Sequence, residues 1–256
     1  MRKREKAAKT PRASLKTFGK CLSLAVGVGV LIFAIEYALA WVLYWVVGAE
    51  NLSTPLINAL YQALIYAITL VLLLGAPAWL SRLKTAKIAK NTAKTLKTTR
   101  EELGLKGLPT WTDLGLAPVG FLVYFLAAAG LVAIFKLFPW FDATEAQDVG
   151  FSGLYFFGDR IIAFIALVII APVAEEIIFR GFLYGKLRSK LSIIPAMLIV
   201  SVIFGILHGQ WNVGVNVFAL SLVLCGLREI TGTIYSGMVV HILKNALAFC
   251  LLYLVM

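Results

Sequence analysis

The chain has 256 residues, of which 61% are hydrophobic and 14% charged, with a net charge of +11 and a mean hydropathy of +0.89. A soluble domain carries about 25% charged residues, so this composition excludes an ordinary soluble globular fold. The positive charge lies in blocks beside apolar runs, which suits an anionic lipid surface and argues against nucleic acid as a partner. Strand-period alternation is absent, which excludes a β-barrel. Apolar runs of about 18 or more residues recur, and in a bilayer such runs must be helical to satisfy their own backbone. The expected fold is all-α: a polytopic transmembrane helix bundle of about seven spans.

In chain order, a basic N-terminus at about 1–20 precedes two spans at about 21–47 and 56–80. Ala38-Leu39-Ala40 resembles a signal-peptidase site, but the apolar run continues through Trp41 to Val47. An uncleaved anchor is the better reading. A basic segment follows at about 81–116, then spans at about 117–138, 160–185, 192–208, 213–228 and 234–256. Within the basic segment, Lys84, Lys87, Lys90, Lys94 and Lys97 recur every three or four residues, the pattern of an interfacial helix on an anionic leaflet or of a solvated tether. Residues 1–20 and 81–116 hold eight Lys or Arg each, and the turn at 186–190 holds three. The loops at 48–55 and 139–158 hold none, and the latter carries Asp142, Glu145 and Asp148. The positive-inside rule therefore places the N-terminus in the cytoplasm and, after seven spans, the C-terminus outside. The three cysteines, Cys21, Cys225 and Cys250, lie in apolar segments with no metal spacing and read as packing residues.

The last four spans, within 117–256, contain polar residues that a bilayer does not tolerate idly. Each charge at a span centre costs about 2.5–3.5 kcal/mol, so Glu175, Glu176 and Arg180 unpaired would cost roughly 8–10 kcal/mol. Glu176 and Arg180 are four apart and can pair on one face. Glu175 points about 100° away and is left for other work; a desolvated carboxylate suits a general base. Both histidines, His208 and His241, fall in spans. Phe204 lies one turn before His208 and can orient its ring, and Asn245 lies one turn after His241. The set offers a base, two imidazoles, an amide and a buried cation, which together could activate water and stabilise an oxyanion. Glu36, Asn212 and Asn216 read as structural polar residues. An H-E-x-x-H zinc helix is absent. No aspartate lies in a span core, and Ser201 and Ser236 lack a nucleophile context.

Glu-Glu-x-x-x-Arg at 175–180, Phe-x-x-x-His at 204–208 and His-x-x-x-Asn at 241–245 resemble the three motifs of the CAAX prenyl protease and bacteriocin-processing family, the Abi-type intramembrane proteases. The resemblance covers about residues 155–250. It implies that Glu175 and His208 activate a water, that His241 and Asn245 bind the oxyanion, and that Glu176 and Arg180 hold the site together. It implies a membrane-associated protein or peptide as substrate. A metal-free mechanism fits these residues, and Glu175, His208 and His241 are the ligand set for zinc if a metal is used. A non-catalytic scaffold or bacteriocin-immunity factor that keeps the fold is the alternative, and a transporter is a weaker one.

At about 1.5 Å per residue, Glu175 lies roughly 16 Å, His241 roughly 10 Å and His208 roughly 24 Å from the cytoplasmic turns. These depths disagree, so the fifth helix must tilt or begin outside the bilayer. The resemblance points to a cavity open to the cytoplasm.

Overall fold

A computed structural model describes residues 14–48, 51, 54–82, 87–145, 151 and 154–253. The basic residues from Arg2 to Arg12, Lys84, Asp148 and the side chains of Lys87 and Lys90 lie outside that description. The helices are α1 Leu15–Val47, α2 Pro55–Leu80, α3 Lys87–Leu96, α4 Trp111–Phe135, α5 Phe157–Arg188, α6 Ile193–Ile206, α7 Trp211–Thr231 and α8 Tyr235–Tyr253. The protein is an integral, multi-pass helical bundle. Its outward faces are apolar, as at Val26, Val30, Leu122 and Leu126, where lipid tails take the place of water.

Local chemistry sets the helix ends. The Ser14 hydroxyl accepts from the Thr17 amide at 3.2 Å and caps α1. Pro55 opens α2 at a position where its missing N–H is harmless. Thr110 and Asp113 cap α4 reciprocally. Gly232 ends α7 at φ +70°, a conformation without steric penalty only for glycine. Two π-helical turns, Val71–Gly75 in α2 and Ile165–Ile170 in α5, each stop two residues before a proline, Pro77 and Pro172. A proline cannot donate to the preceding turn and its ring crowds the carbonyl four residues back; a widened turn relieves both problems.

Six helices are long enough to cross a membrane; α6, with 14 residues, is not. At about 1.5 Å per residue it spans roughly 21 Å against an apolar core of about 30 Å. The turn that follows it, 207–210, is half-buried, with Gly209 exposed. One end gathers the basic loops: Ile234 N–H donates to Gly104 O at 3.2 Å, Lys186 Nζ to Lys97 O at 2.7 Å and Arg228 Nη2 to Glu102 O at 2.9 Å. The opposite end gathers Trp140 against Trp211 at 5.2 Å between centroids and Gln210 Nε2 on Glu145 Oε1 at 3.2 Å. The helix expected in the basic segment is present as α3. It buries Ala93 and rests Leu96 on the bundle, while Lys94 is exposed.

Asn212 and Asn216 have structural partners near the start of α7: Asn212 Nδ2 donates to Glu145 O at 2.6 Å and Asn216 Nδ2 to Asn212 O at 2.8 Å. Ser236, buried, donates to Asp113 O at 2.9 Å and serves the α4–α8 contact.

Close approach of α6 to α7 rests on Gly205 and Gly214. A Cβ on Gly205 would lie 3.0 Å from Gly214 O, and one on Gly214 3.1 Å from Gly205 O. Small residues at such crossings let backbones meet. Gly205→Val is expected to force the helices apart and destabilise the protein by about 1–3 kcal/mol, read as a lower melting temperature in detergent; an unchanged melting temperature would remove this crossing as a constraint.

Candidate active site

Helix α5 carries the acidic pair, and its backbone changes type there: Ala171–Glu175 is α-helical and Glu176–Leu183 is π-helical. Glu176 is fully buried. Its Oε1 accepts from Arg180 Nη1 at 2.9 Å and from His241 Nδ1 at 3.0 Å. The expected pair on one helix face is thus present, and α8 supplies a third member. Gly237, one turn before His241, gives the carboxylate room: a Cβ there would lie 3.0 Å from Glu176 Oε2.

Arg180 is fully buried, and its guanidinium lies 4.3 Å from the centroid of the Phe204 ring. The ring's negative face takes up part of the uncompensated charge. The same ring meets Phe179 and His208 edge-on at 4.9 Å and His241 at 6.0 Å. Phe204 therefore touches both imidazoles and the buried cation at once.

Glu175 is not the unengaged carboxylate expected from its angular offset. Tyr66 on α2 donates to its Oε1 at 2.5 Å, and His241 Nε2 lies 3.6 Å from its Oε2. The two glutamates diverge around the helix, yet His241 sits between them and presents one ring nitrogen to each. His208 Nδ1 lies 2.8 Å from Phe204 O. A carbonyl only accepts, so Nδ1 carries the proton and the neutral ring keeps its lone pair on Nε2. Asn245 Nδ2 donates to Leu167 O at 2.8 Å, which commits one of its two amide hydrogens.

Glu175, His208, His241 and Asn245 line one cavity of about 500 Å³ among α1, α2, α5, α6 and α8. The depths that disagree in the sequence are reconciled by the short α6, whose last turn brings His208 into the bundle interior. Further polar residues line the cavity, among them Tyr66, Lys244 and Glu36. Lys244 was legible, since a lysine beside Asn245 within a span carries the same desolvation cost that singles out Glu175. Glu36 reads as structural in the sequence, but its carboxylate borders the cavity. Tyr66 had no signal, because a tyrosine in an apolar span usually serves packing.

The zinc set offered by the sequence does not close. Among the described residues no three His, Cys, Asp or Glu side chains converge as a metal site. Glu175, His208 and His241 as placed do not fit the tetrahedral arrangement zinc requires.

The profile of the type II CAAX prenyl endopeptidase Rce1-like family matches residues 157–247, the stretch from the start of α5 through Asn245. Over these residues, about a third of the chain, the sequence is similar to that family. A curated relative in Bacillus subtilis (strain 168), named "Putative membrane peptidase YdiL", is 35% identical over 77 residues, 30% of this chain and 32% of the relative. The chain thus spans about a third of that relative's length. No solved structure matches the chain.

Removing one partner of the buried pair leaves the other charge stranded, at a cost of about 3–5 kcal/mol. Glu176→Gln is expected to lower the melting temperature in detergent sharply, and Glu176→Gln with Arg180→Met to recover part of the loss. Equal melting temperatures for Glu176→Gln and the parent would show that the pair holds nothing together.

Proposed function

We propose that this protein is an intramembrane endopeptidase that hydrolyses a peptide bond of a membrane-associated protein or peptide. The observation that carries the reading is the convergence of Glu175 from α5, His208 from the turn after α6, and His241 and Asn245 from α8 on one cavity inside the bundle. A general base must lie within reach of the proton it removes, in a site that holds little water.

Glu175 is the base. A water between its carboxylate and the unprotonated Nε2 of His208 loses a proton to Glu175 as its oxygen bonds to the scissile carbonyl carbon. The carbonyl oxygen becomes an oxyanion, which the second amide hydrogen of Asn245 and the Lys244 ammonium stabilise. The proton on Glu175 passes to the leaving nitrogen, the C–N bond breaks, and acid and amine products form. Tyr66 holds Glu175 in one orientation. His241, expected from the family resemblance to bind the oxyanion, instead acts as a positioning residue here, since its nitrogens face Glu176 and Glu175. Glu176 and Arg180 fix His241. The basic end of the bundle, with α3, rests against an anionic leaflet.

The test is cleavage of a membrane-peptide library by the purified, reconstituted protein, with products mapped by mass spectrometry. Glu175→Gln is expected to reduce turnover by about 10²–10⁴-fold while leaving melting temperature and expression unchanged. Full activity in that variant would overturn the assignment. No cleavage by the parent protein in any lipid would favour a non-catalytic scaffold. Because three metal ligands do not converge, purified protein is expected to hold less than one zinc per chain by elemental analysis and to keep its activity in chelator. Stoichiometric zinc, lost together with activity, would refute the water-activation scheme as written.

A further inference from the structure

A second cavity, of about 410 Å³, lies where the ends of α5 and α7 meet the loop that leads into α4. It shares no lining residue with the cavity around Glu175. Glycines let its walls approach closely. A Cβ on Gly181 would lie 3.1 Å from Leu103 O, and one on Gly185 3.3 Å from Glu102 O, so the loop rests directly on α5. Gly104, at φ +78°, makes room for a guanidinium: a Cβ there would lie 2.5 Å from Arg228 Cζ. Tyr184, 1% exposed, donates to Glu229 Oε1 at 2.9 Å and ties α5 to α7.

Four cations line this cavity, Lys106, Lys186, Arg188 and Arg228, with two carboxylates, Glu102 and Glu229. Both carboxylates are engaged. Glu229 Oε1 accepts from Arg188 Nε at 3.0 Å as well as from Tyr184, and Glu102 Oε2 accepts from the Thr99 amide at 2.9 Å. Among the described residues Lys106, Lys186 and Arg228 form no ion pair. Arg228 donates from Nη1 to Gly232 O and from Nη2 to Glu102 O, and Lys186 Nζ donates to Lys97 O at 2.7 Å. Carbonyls orient these cations without neutralising them. Each terminal nitrogen of Arg228 gives one of its two hydrogens to a carbonyl and keeps the other for a ligand. The Lys106 ammonium stands beside Gly232, 3.9 Å from where a Cβ would be. Two cations therefore meet at Gly232 with no carboxylate paired to either. Like charges held together repel, and an anion between them reverses the sign of that term.

We propose that this cavity binds a phosphate group, carried by a lipid headgroup or free in solution. Guanidinium forks and ammonium groups are the donors that phosphate oxygens accept best. A carboxylate would satisfy one fork, whereas the tetrahedral oxygens of a phosphate can reach cations on α5, α7 and the loop together. The site lies at the ends of two spans, the level at which lipid headgroups sit. Its occupation is independent of the chemistry at Glu175.

The test uses the purified full chain, stripped of lipid in an uncharged detergent, with two probes: inorganic phosphate, followed by equilibrium dialysis, and phosphatidylglycerol, followed by native mass spectrometry. The expected result is one saturable site per chain. Saturation by phosphatidylglycerol alone assigns the phosphate to a lipid headgroup, and saturation by inorganic phosphate assigns it to a free anion. In either case Lys106→Gln and Arg228→Gln are each expected to weaken binding by about tenfold or more. Lys94→Gln, at an exposed position on α3 outside the cavity, is expected to bind as the parent does. Lys106 is exposed and donates no hydrogen bond among the described residues, so Lys106→Gln decides the matter even where Arg228→Gln does not fold. No saturable binding of either probe, parent-like binding by Lys106→Gln, or an equal loss in Lys94→Gln overturns the proposal.

Discussion

A carboxylate and a guanidinium sealed together in an apolar bundle impose the main constraint on this structure. Glu176 and Arg180 are both fully buried, 2.9 Å apart, where an unpaired charge would be costly. Their mutual attraction does not satisfy every polar atom, since Glu176 Oε2 and Arg180 Nε and Nη2 have no hydrogen-bond partner among the described residues. The surroundings complete the compensation: His241 adds a donor from α8, and Phe204 adds a ring face from α6. The ion pair thus requires α6 and α8 to close on α5. Those are the helices that carry the two histidines.

The π-helical turns matter for the same reason. A π turn inserts a residue into the helical phase, and such turns are frequent at functional sites. Helix α5 has one on each side of the stretch Ala171–Glu175. The first accommodates Pro172. The second begins at Glu176 and carries Arg180. Glu175 is the last residue of the regular segment between them, held by Tyr66 from α2, a helix outside the family-matched region. The N-terminal half of the chain therefore contributes directly to the site as well as anchoring the protein.

The cavity and the ion pair also divide the bundle into unequal halves. On one side of Glu175, residues such as Phe182, Leu183 and Leu187 pack without gaps. On the other, α2 and α8 diverge around a space of about 500 Å³. Packing that excludes bulk water on one side of a polar cavity keeps the electrostatics inside it strong.

The order of the apolar helices, the pairing of Glu176 with Arg180 and the packing of Phe204 on His208 were legible in the sequence, because each depends on spacing within one helix or on the cost of polar groups in lipid. Apolar run length and basic-loop alternation are one-dimensional properties. What the sequence could not decide concerns neighbours distant along the chain. The donation from Tyr66 to Glu175 joins residues 109 positions apart. The seat of His241 between two diverging carboxylates depends on how α8 approaches α5, and the retention of one Asn245 hydrogen by Leu167 depends on the first π turn. The depth of His208 follows from a helix too short to span. Local spacing dictates which residues share a helix face; the angle and distance at which two faces meet depend on packing around small residues, prolines and a buried charge pair, and only the folded bundle decides them.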